Sequence, residues 1–412
     1  MSRRAVPAFL ASSVCVSTAS GMAVIALGKL VFDLTGDELD LGLLGLVEFA
    51  PAALLVFVTG PIADRHDRRR VVALSAGCEA VSMLALAALV ISGVRTTLPI
   101  FALVLAFGMF RAFMAPAARA IPSDIVAPTE LSKLVARYAL SWQLSLIVGP
   151  VAAGFLYAVD PAAPFIAVAG LLAAGAIAIL VIPSERTRRH HDDLDAPKLT
   201  DAFEGLRFIR SRPELLGAIS LDLFAVLFGG AVALLPAIAE DRLGAGAIGL
   251  GWLRAAVGIG AGMTTIVLAL RPLQRAIGKL LLVSVAIFGV FTVILGITHD
   301  YFVAFVALTI LSGADAISVY IRATLVPLLT PVDRRGRVLA VENVFIGASN
   351  ELGGFESGAV AAAVSTPFAV VSGGVATIAV AIVWWFRFPA LRDLDAFPES
   401  VEMTTDVDAT TG

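Results

Sequence analysis

Asp315 and Arg322 are opposite charges seven residues apart in a long apolar stretch of the sequence. At about 100° per residue they fall within about 20° of the same side of a helix, and Ser318 is near that side. Charged groups in apolar surroundings need a partner or a wet cavity, so this stripe predicts a binding surface. Since Arg322 offers Asp315 a positive charge, we expect Asp315 to stay ionised and bind a ligand.

Three more charged residues interrupt apolar stretches. Asp222 and Glu48 have no opposite charge within one turn of their own helices, so either acid is a candidate for taking up and releasing a proton. Pairing across helices is an equally consistent interpretation for each of them. Arg111 is a further candidate for lining the same cavity as Asp315, Ser318 and Arg322.

A segment near the C-terminus carries polar side chains on two faces of a predicted helix, and apolar residues flank it. One face spans about 140° at 100° per residue. It holds Glu342, Asn343, Ser349, Asn350, Glu356 and Ser357. Glu351 projects from the opposite face together with Gly347 and Gly358. Two polar faces predict a helix enclosed by protein or water, and they make Glu351, Glu356 and Asn350 candidates for gating.

The amino-acid composition indicates the class of protein in which these charged residues lie. The 412 residues are 58% hydrophobic and 15% charged, and the mean hydropathy is +0.92. These values are typical of a membrane protein and exclude a soluble enzyme or a disordered chain. The net charge of −3 gives no reason to expect a nucleic-acid partner, so the partner we expect is the lipid bilayer.

Twelve apolar windows are each long enough to cross a bilayer as a helix. Helices are required because lipid cannot satisfy exposed backbone groups. The windows are 6–32, 42–63, 71–92, 98–117, 135–158, 163–183, 215–238, 247–270, 279–298, 302–328, 338–363 and 367–388. The predicted fold is therefore an all-α integral membrane protein with two six-helix bundles, residues 1–183 and 213–390. A linker, 184–212, and a disordered tail, 391–412, complete the chain.

Basic residues predict the orientation of the chain in the membrane. Of the 30 Lys and Arg residues, only Arg95 and Arg242 fall in one set of alternate loops. Four lie deep within the windows, namely Lys29, Arg111, Arg254 and Arg322, and the remaining 24 lie in the termini, in the other loops or in the window ends next to those loops. The positive-inside rule then places both termini in the cytoplasm and the chain in the plasma membrane.

Three local patterns have simpler interpretations. Lys29 and Asp33 are four residues apart near the end of the first window, which predicts a snorkelling ion pair. Glu79 in the third window predicts a hydrogen-bonding group between helices. His190 and His191 in the linker form a solvated charge cluster more readily than a metal site, since no further ligands lie at suitable spacing, and we expect no metal.

The two bundles are predicted to be repeats of one another. An offset of 204 residues aligns Gly149 and Gly154 in the fifth window with Gly353 and Gly358 in the eleventh. The same offset aligns Gly42 with Gly246 in the second window of each half. Parallel six-helix halves of this kind place a substrate site between them near the middle of the membrane and work by alternating access.

One loop resembles a motif of the major facilitator superfamily. The residues Gly60-Pro61-Ile62-Ala63-Asp64-Arg65-His66-Asp67-Arg68-Arg69-Arg70 are similar to that family's G-x-L-A-D-R-x-G-R-R loop, with Ile62 and Asp67 as departures. A carboxylate and arginines at a helix end could hold the halves closed on the cytoplasmic side. The predicted conformational latch comprises Gly60, Asp64, Arg65, Asp67, Arg68 and Arg69.

A second motif resembles the antiporters of the superfamily. Gly149-Pro150-Val151-Ala152-Ala153-Gly154 is similar to their G-P-x-x-G-G sequence and predicts close helix packing through Gly149, Pro150 and Gly154. Other segments, such as Ser349-Asn350-Glu351-Leu352-Gly353, resemble the branch with the enterobactin exporter and macrolide efflux pumps. That resemblance implies export of a hydrophobic or amphipathic small molecule driven by proton entry.

The sequence also bears on the energy source of the protein and on its alternative functions. The sequence has no G-x-x-x-x-G-K-[ST] phosphate loop, so we expect a secondary transporter with no cofactor, fuelled by protons and acting as a monomer. An importer or facilitator of a small nutrient is the nearest alternative, and a non-transporting membrane receptor is a further one. The charged groups are scattered over several helices, which disfavours an enzyme, and we assign no catalytic residue.

Overall fold

The computed structural model describes residues 4–94, 96–183 and 199–398, and no strand occurs within those ranges. The predicted His190 and His191 of the linker, and the tail beyond residue 398, lie outside the described residues. The first helices are α1 (Ala5–Thr35), α2 (Glu38–Leu54), α3 (Val56–Arg65), α4 (Arg68–Ile91), α5 (Thr97–Ile125), α6 (Pro128–Val159) and α7 (Ala163–Leu180). Next come α8 (Leu199–Ser211) and α9 (Pro213–Phe228), a 3₁₀ turn (Gly230–Leu234), α10 (Leu235–Ala237) and a π-helical turn (Ile238–Arg242). The last helices are α11 (Gly246–Leu270), α12 (Ile277–Ile297), α13 (Tyr301–Leu329), α14 (Val332–Ala363), α15 (Thr366–Arg387) and α16 (Pro389–Arg392).

Aspartates cap several helices at the turns that the sequence places between the apolar segments. Asp37 accepts a hydrogen bond from the Leu39 amide at 2.8 Å, directly after Gly36 has ended α1 with a φ of 62°. Asp67 accepts from the Arg69 amide at 3.2 Å, and Asp300 accepts from the Val303 amide at 2.9 Å. These caps satisfy backbone donors at the helix starts and fix where each helix turns back.

Ten helical segments within the described ranges are long and apolar enough to cross a membrane. One of the other two predicted crossings consists of α2 and α3, because the helix is interrupted at Leu55. The other is α14, whose acidic and amide side chains lower its mean hydropathy. The seventh crossing is interrupted at Gly229 and Gly230, where the helix changes to a 3₁₀ turn. Together these segments form the all-α membrane fold with two sets of six crossings.

The helices pack in the same order in both sets. In the first set α1 packs on α6 and α7, α4 packs on α5 and α7, and α2 packs on α5. In the second set α9 packs on α14 and α15, α12 packs on α13 and α15, and α11 packs on α13. The two most extensive contacts between the sets are α6 on α11 and α2 on α14, so each of them pairs a second crossing with a fifth.

Glycines on α6 allow these helices to touch through their backbones. A Cβ added to Gly149 would lie 2.8 Å from the Thr18 carbonyl oxygen of α1. A Cβ added to Gly154 would lie 2.5 Å from the Ala247 carbonyl oxygen of α11. The predicted packing motif therefore holds α6 between α1 of its own set and α11 of the other.

The same arrangement recurs on α14, as the repeat predicts. A Cβ at Gly353 would lie 2.5 Å from the Val226 carbonyl oxygen of α9, and one at Gly358 would lie 2.6 Å from the Glu38 carbonyl oxygen of α2. Val226 is 204 residues after Met22, whose amide is 3.1 Å from a Cβ built at Gly149. The sequence repeat is thus a repeat of helix contacts.

The two ends of the molecule differ in charge. We call the end formed by the starts of α1, α4, α6, α9, α12 and α14 the basic end, and the other the opposite end. At the basic end α8 lies along α14, where Arg337 bonds Glu204 at 2.5 Å and Arg334 stacks over the Phe208 ring at 5.6 Å. The predicted domain boundaries at residues 183 and 213 stay a prediction.

The chain keeps its structure beyond residue 391, where the sequence predicts a disordered tail to begin. Leu391 is fully buried. The Gly278 amide donates to the Leu394 carbonyl at 2.9 Å, and the Ala276 amide donates to the Asp395 carboxylate at 3.0 Å. Apolar burial and these hydrogen bonds therefore hold residues 391–395 against the start of α12.

We expect Gly154→Val to destabilise the protein, because its side chain would meet the backbone of α11. Overpacking of this kind costs about 1–3 kcal/mol, which should lower the midpoint of thermal unfolding in detergent. Gly170→Val on α7 is the matched control, since a Cβ there meets nothing within 4 Å. Equal midpoints for both variants would contradict the contact.

Candidate functional site

A pair of opposite charges lies in the middle of the first set of helices. Arg111 of α5 donates to a carboxylate oxygen of Glu48 of α2 at 3.2 Å. The two helices meet closely there, since a Cβ at Gly108 would lie 2.1 Å from the Glu48 carbonyl oxygen. The side chains are 23% exposed for Glu48 and 28% for Arg111, so the pair is accessible from between the helices.

Glu351 brings a second acid to this pair from the other set of helices. Its carboxylate fits against Gly45 of α2, where an added Cβ would lie 2.6 Å from a Glu351 oxygen. Glu48, Arg111 and Arg254 are the charged groups that act on it. Glu48, Arg111 and Glu351 therefore lie together at the boundary between the two sets, within electrostatic reach of Arg254 of α11.

A second cluster lies within the other set and centres on Arg322 of α13. Its guanidinium is 2.6 Å from an Asp222 oxygen of α9 and 3.9 Å from a Glu342 oxygen of α14. Ser318 accepts from Arg322 Nε at 3.5 Å. Asp222, Arg322 and Glu342 are each buried, whereas Asp315 is half-buried beside them and is influenced by Asp222 and Arg322. The predicted stripe of Asp315, Ser318 and Arg322 is thus one side of a larger cluster.

The two acids proposed from the sequence as proton carriers are both paired across helices. Asp222 pairs with Arg322, and Glu48 pairs with Arg111. The sequence spacing showed only that neither acid has an opposite charge within one turn of its own helix. The structure has the alternative arrangement, in which each arginine comes from a helix more than 60 residues away in the chain, as the separations of 100 and 63 residues show.

The two faces of α14 meet different helices. Glu351, with Gly347 and Gly358, faces α2, where an added Cβ at Gly347 would lie 3.0 Å from the Phe49 ring. On the other face Glu342, Ser349 and Ser357 are buried. Asn350 is exposed and donates to the Ile346 carbonyl at 2.8 Å, while Glu356 accepts from Ser357 at 3.5 Å. Protein covers part of this helix, whereas Val344 and Leu352 are exposed. Of the three gating candidates, Glu351 is the one that reaches the other set.

The loop predicted as a latch ties helices of the first set together at the basic end. Arg68 binds both oxygens of Asp124, at the end of α5, at 2.9 and 3.0 Å. Arg69 binds Asp67 at 2.9 Å and the Ile182 carbonyl after α7 at 2.6 Å. Gly60 has open space around it, Arg65 is exposed, and the side chain of Asp64 lies outside the described residues. The contact between the two sets that we expect of this latch stays a prediction.

The opposite end is joined by polar contacts between the two sets. Lys29, which is 6% exposed, bonds Asp33 on its own helix and Glu240 of the other set at 3.0 Å. The Tyr157 hydroxyl donates to Asp33 at 2.8 Å. A further contact links the Thr366 hydroxyl to Glu38 at 2.7 Å. Lys29 and Asp33 are thus more than a surface pair, because they bridge the sets.

Several of these residues escaped the sequence reasoning. They are Glu38, Asp124, Tyr157, Glu240, Arg254, and Thr366. Most lie near the end of an apolar segment, where a charged or polar residue is ordinary and gives no signal of a partner. Arg254 carried such a signal, since a cation inside an apolar window requires an acid nearby.

The space between the two sets of helices is closed at the opposite end and exposed at the basic end. The bridging contacts of Lys29, Glu38 and Gly154 all lie toward the opposite end. Toward the basic end, seven of the ten residues from 131 to 140 on α6 are exposed. More than one side of α6 is therefore uncovered there, which gives access from the basic end toward the charged groups.

The fold and this site define a multi-pass membrane transporter of the major facilitator superfamily. The chain resembles the solved structure of a bacterial homologue of the human lysosomal transporter Spinster, in an inward-facing and unoccupied conformation, with a TM-score of 0.67 and 14% identity. That alignment covers 95% of this chain and 97% of the other. The chain belongs to the transmembrane secretion effector family, whose profile matches residues 3–410. Family and fold point to a transporter rather than an enzyme.

Two curated relatives are similar at low identity. Macrolide efflux protein A of Streptococcus pyogenes is 27% identical over 215 residues, which are 50% of this chain and 52% of the relative. Enterobactin exporter EntS of Escherichia coli is 25% identical over 294 residues, which are 69% of this chain and 67% of the relative. The match thus spans about half the length of the first relative and two thirds of the second.

Breaking the Arg322 cluster should destabilise the fold. Arg322→Met leaves Asp222 and Glu342 buried without their cation, and removing one partner of a buried pair costs about 3–5 kcal/mol. We expect a lower unfolding midpoint in detergent for Arg322→Met, and partial recovery in the double variant Arg322→Met with Asp222→Leu. A single variant as stable as the unaltered protein would show that the cluster contributes nothing to stability.

Lys29→Gln should open the opposite end. The change removes the cation between Asp33 and Glu240, so the two sets should separate there more often. In a background with Cys15 and Cys78 replaced by Ser, a thiol at Ala361→Cys, a buried position one turn beyond Gly358, should react several times faster with an impermeant maleimide.

Arg242→Gln is the control for that experiment. Arg242 bonds the carbonyl oxygens of Gly296 and Thr298, which belong to its own set. It should therefore leave the labelling of Ala361→Cys unchanged. The same labelling rate with and without Lys29 would refute a role for Lys29 in closing this end.

Proposed function

We propose that this protein is a proton-coupled exporter of a hydrophobic or amphipathic small molecule, acting as a monomer in the plasma membrane by alternating access. The observation that carries the proposal is that Glu48, Arg111 and Glu351 lie together where the two sets of helices join, within electrostatic reach of Arg254. Such a group changes its pairing when the sets rock, because its members move with different sets. The rocking motion is thereby linked to the pairing of charged groups.

The distribution of basic residues supports an orientation with the basic end in the cytoplasm. Arg68, Arg69, Arg334 and Arg337 lie at that end, whereas Arg242 is the basic residue of the opposite end among the described loops. Positive loops favour the cytoplasmic side. Both termini then lie in the cytoplasm, and the conformation described is open toward it.

Closely packed glycines support the motion that the cycle requires. The α6–α11 and α2–α14 contacts bring backbones together at Gly154 and Gly358. Helices in such contact can roll over each other while staying together. Opening the opposite end then requires parting Lys29 from Glu240 and Glu38 from Thr366, which are polar groups that water can solvate.

The direction of transport is inferred from the relatives. One is a macrolide efflux protein and the other an enterobactin exporter, each of which handles a bulky molecule. The apolar helices with scattered charges of the present chain suit the same kind of cargo. A proton that enters across about 100 mV releases about 2.3 kcal/mol, which supports a gradient of about fortyfold.

Everted membrane vesicles test the proposal. Vesicles containing the protein should accumulate a radiolabelled macrolide or enterobactin when respiration acidifies their interior, and a protonophore should abolish that accumulation. Vesicles from cells without the protein are the control. Transport that ignores the protonophore would refute proton coupling, and proton-driven movement in the other direction would favour an importer.

A further inference from the structure

Glu79 is an acidic residue that belongs to neither of the two charged clusters. It lies at the middle of α4, eleven residues after Arg68 and twelve before Ile91. Its side chain is fully buried at 0% exposure. Neither carboxylate oxygen makes a hydrogen bond to any described residue. The hydrogen bond between helices that the sequence suggested for Glu79 is therefore absent from the described part of the chain.

The surroundings of Glu79 contain one cation and one other acid. Helix α4 packs on α5 and α7 and touches α3. The charged groups that act on Glu79 are Arg111 of α5 and Glu48 of α2. Helix α7 carries no ionisable side chain, and the two ionisable residues of α3, Asp64 and Arg65, are the last residues of that helix, at the basic end. Glu79 thus lies behind the Glu48–Arg111 pair.

This position dictates the protonation state of Glu79. A carboxylate buried without a partner loses its hydration and regains nothing, at a cost of several kcal/mol. The neutral acid avoids that cost. Glu48 differs, because Arg111 balances its charge, and so does Asp222, which Arg322 balances. Among these three acids, Glu79 is the one whose proton is needed in the conformation described.

We propose that Glu79 is the carboxyl that binds and releases the transported proton, with Arg111 shared between Glu48 and Glu79. This assignment rests on the proposed proton coupling. In the conformation described, Arg111 pairs with Glu48, and Glu351 of the other set adds negative charge beside the pair. Arg111 is thereby held away from Glu79, which keeps its proton.

Release of the proton takes place while the molecule is open toward the basic end. When the transported molecule binds beside Glu48, Arg111 turns from Glu48 to Glu79. The O–H bond of Glu79 then breaks, the proton passes to water on the cytoplasmic side, and the carboxylate left behind pairs with Arg111. Rocking of the two sets opens the opposite end, where the Glu79 carboxylate takes up a proton from outside and Arg111 returns to Glu48. One proton enters in each cycle, and no other bond changes.

Infrared difference spectroscopy of the whole protein in proteoliposomes tests the assignment without a substrate. A step from acidic to alkaline pH should remove the C=O stretching band of a protonated carboxyl. This band should be lost in Glu79→Gln and recovered at a shifted frequency in Glu79→Asp. It should persist in the control Asp222→Asn, because Asp222 pairs with Arg322 within the other set. A band that survives Glu79→Gln, a band lost only in Asp222→Asn, or no band in the unaltered protein would overturn the proposal.

Transport by the same proteoliposomes separates this inference from the function on which it rests. With a macrolide or enterobactin as the probe, Glu79→Gln should lose proton-driven uphill movement and keep exchange of probe across the membrane. Gradient-driven movement that survives Glu79→Gln would overturn the assignment of Glu79 alone. Movement by the unaltered protein that ignores the gradient would overturn the proposed coupling.

Discussion

The backbone contact of α6 with α11, and of α14 with α2, is the constraint on which the rest of the structure depends. Gly154 and Gly358 are the positions where any side chain would meet a carbonyl oxygen of the other set. Within a membrane the hydrophobic effect does not press helices together, so close packing has to supply the attraction. The glycines make that packing possible, and they also leave a smooth surface between the two sets.

Charge placement follows from this packing. The helices that touch across the boundary, α2 and α14, carry Glu48 and Glu351, so acids of both sets meet where the backbones are closest. The arginines that balance them come from α5 and α11. A charge inside a membrane is tolerated when it is paired or reaches water. Moving one set against the other alters those pairs, and this is how a mechanical change can be coupled to an ion.

The two polar clusters serve the fold differently. Arg322 with Asp222 and Glu342 is buried within the second set, so it holds α9, α13 and α14 together during any motion. The Glu48 and Glu351 group lies between the sets and is partly exposed. Lys29 resembles the second kind, because it joins α1 to Glu240 of the other set at the closed end. Stable pairing within a set and exchangeable pairing between sets suit a molecule with two rigid halves.

The sequence by itself determined the membrane-spanning helices, their repeat and the identity of the charged residues, because apolar length, glycine spacing and charge in an apolar stretch are local properties. It could not determine partners across helices, so it left open whether Asp222 and Glu48 are paired, and it suggested a hydrogen bond for Glu79 that the described residues do not provide. Which arginine faces which acid depends on helix rotation and depth, and these are set by packing against helices more than 60 residues away, as for Glu48 and Arg111. Only the tertiary structure decided that Lys29 bridges the two sets and that Glu79 is buried without a hydrogen-bonding partner among the described residues, because side chains far apart in the chain meet only once the helices are packed.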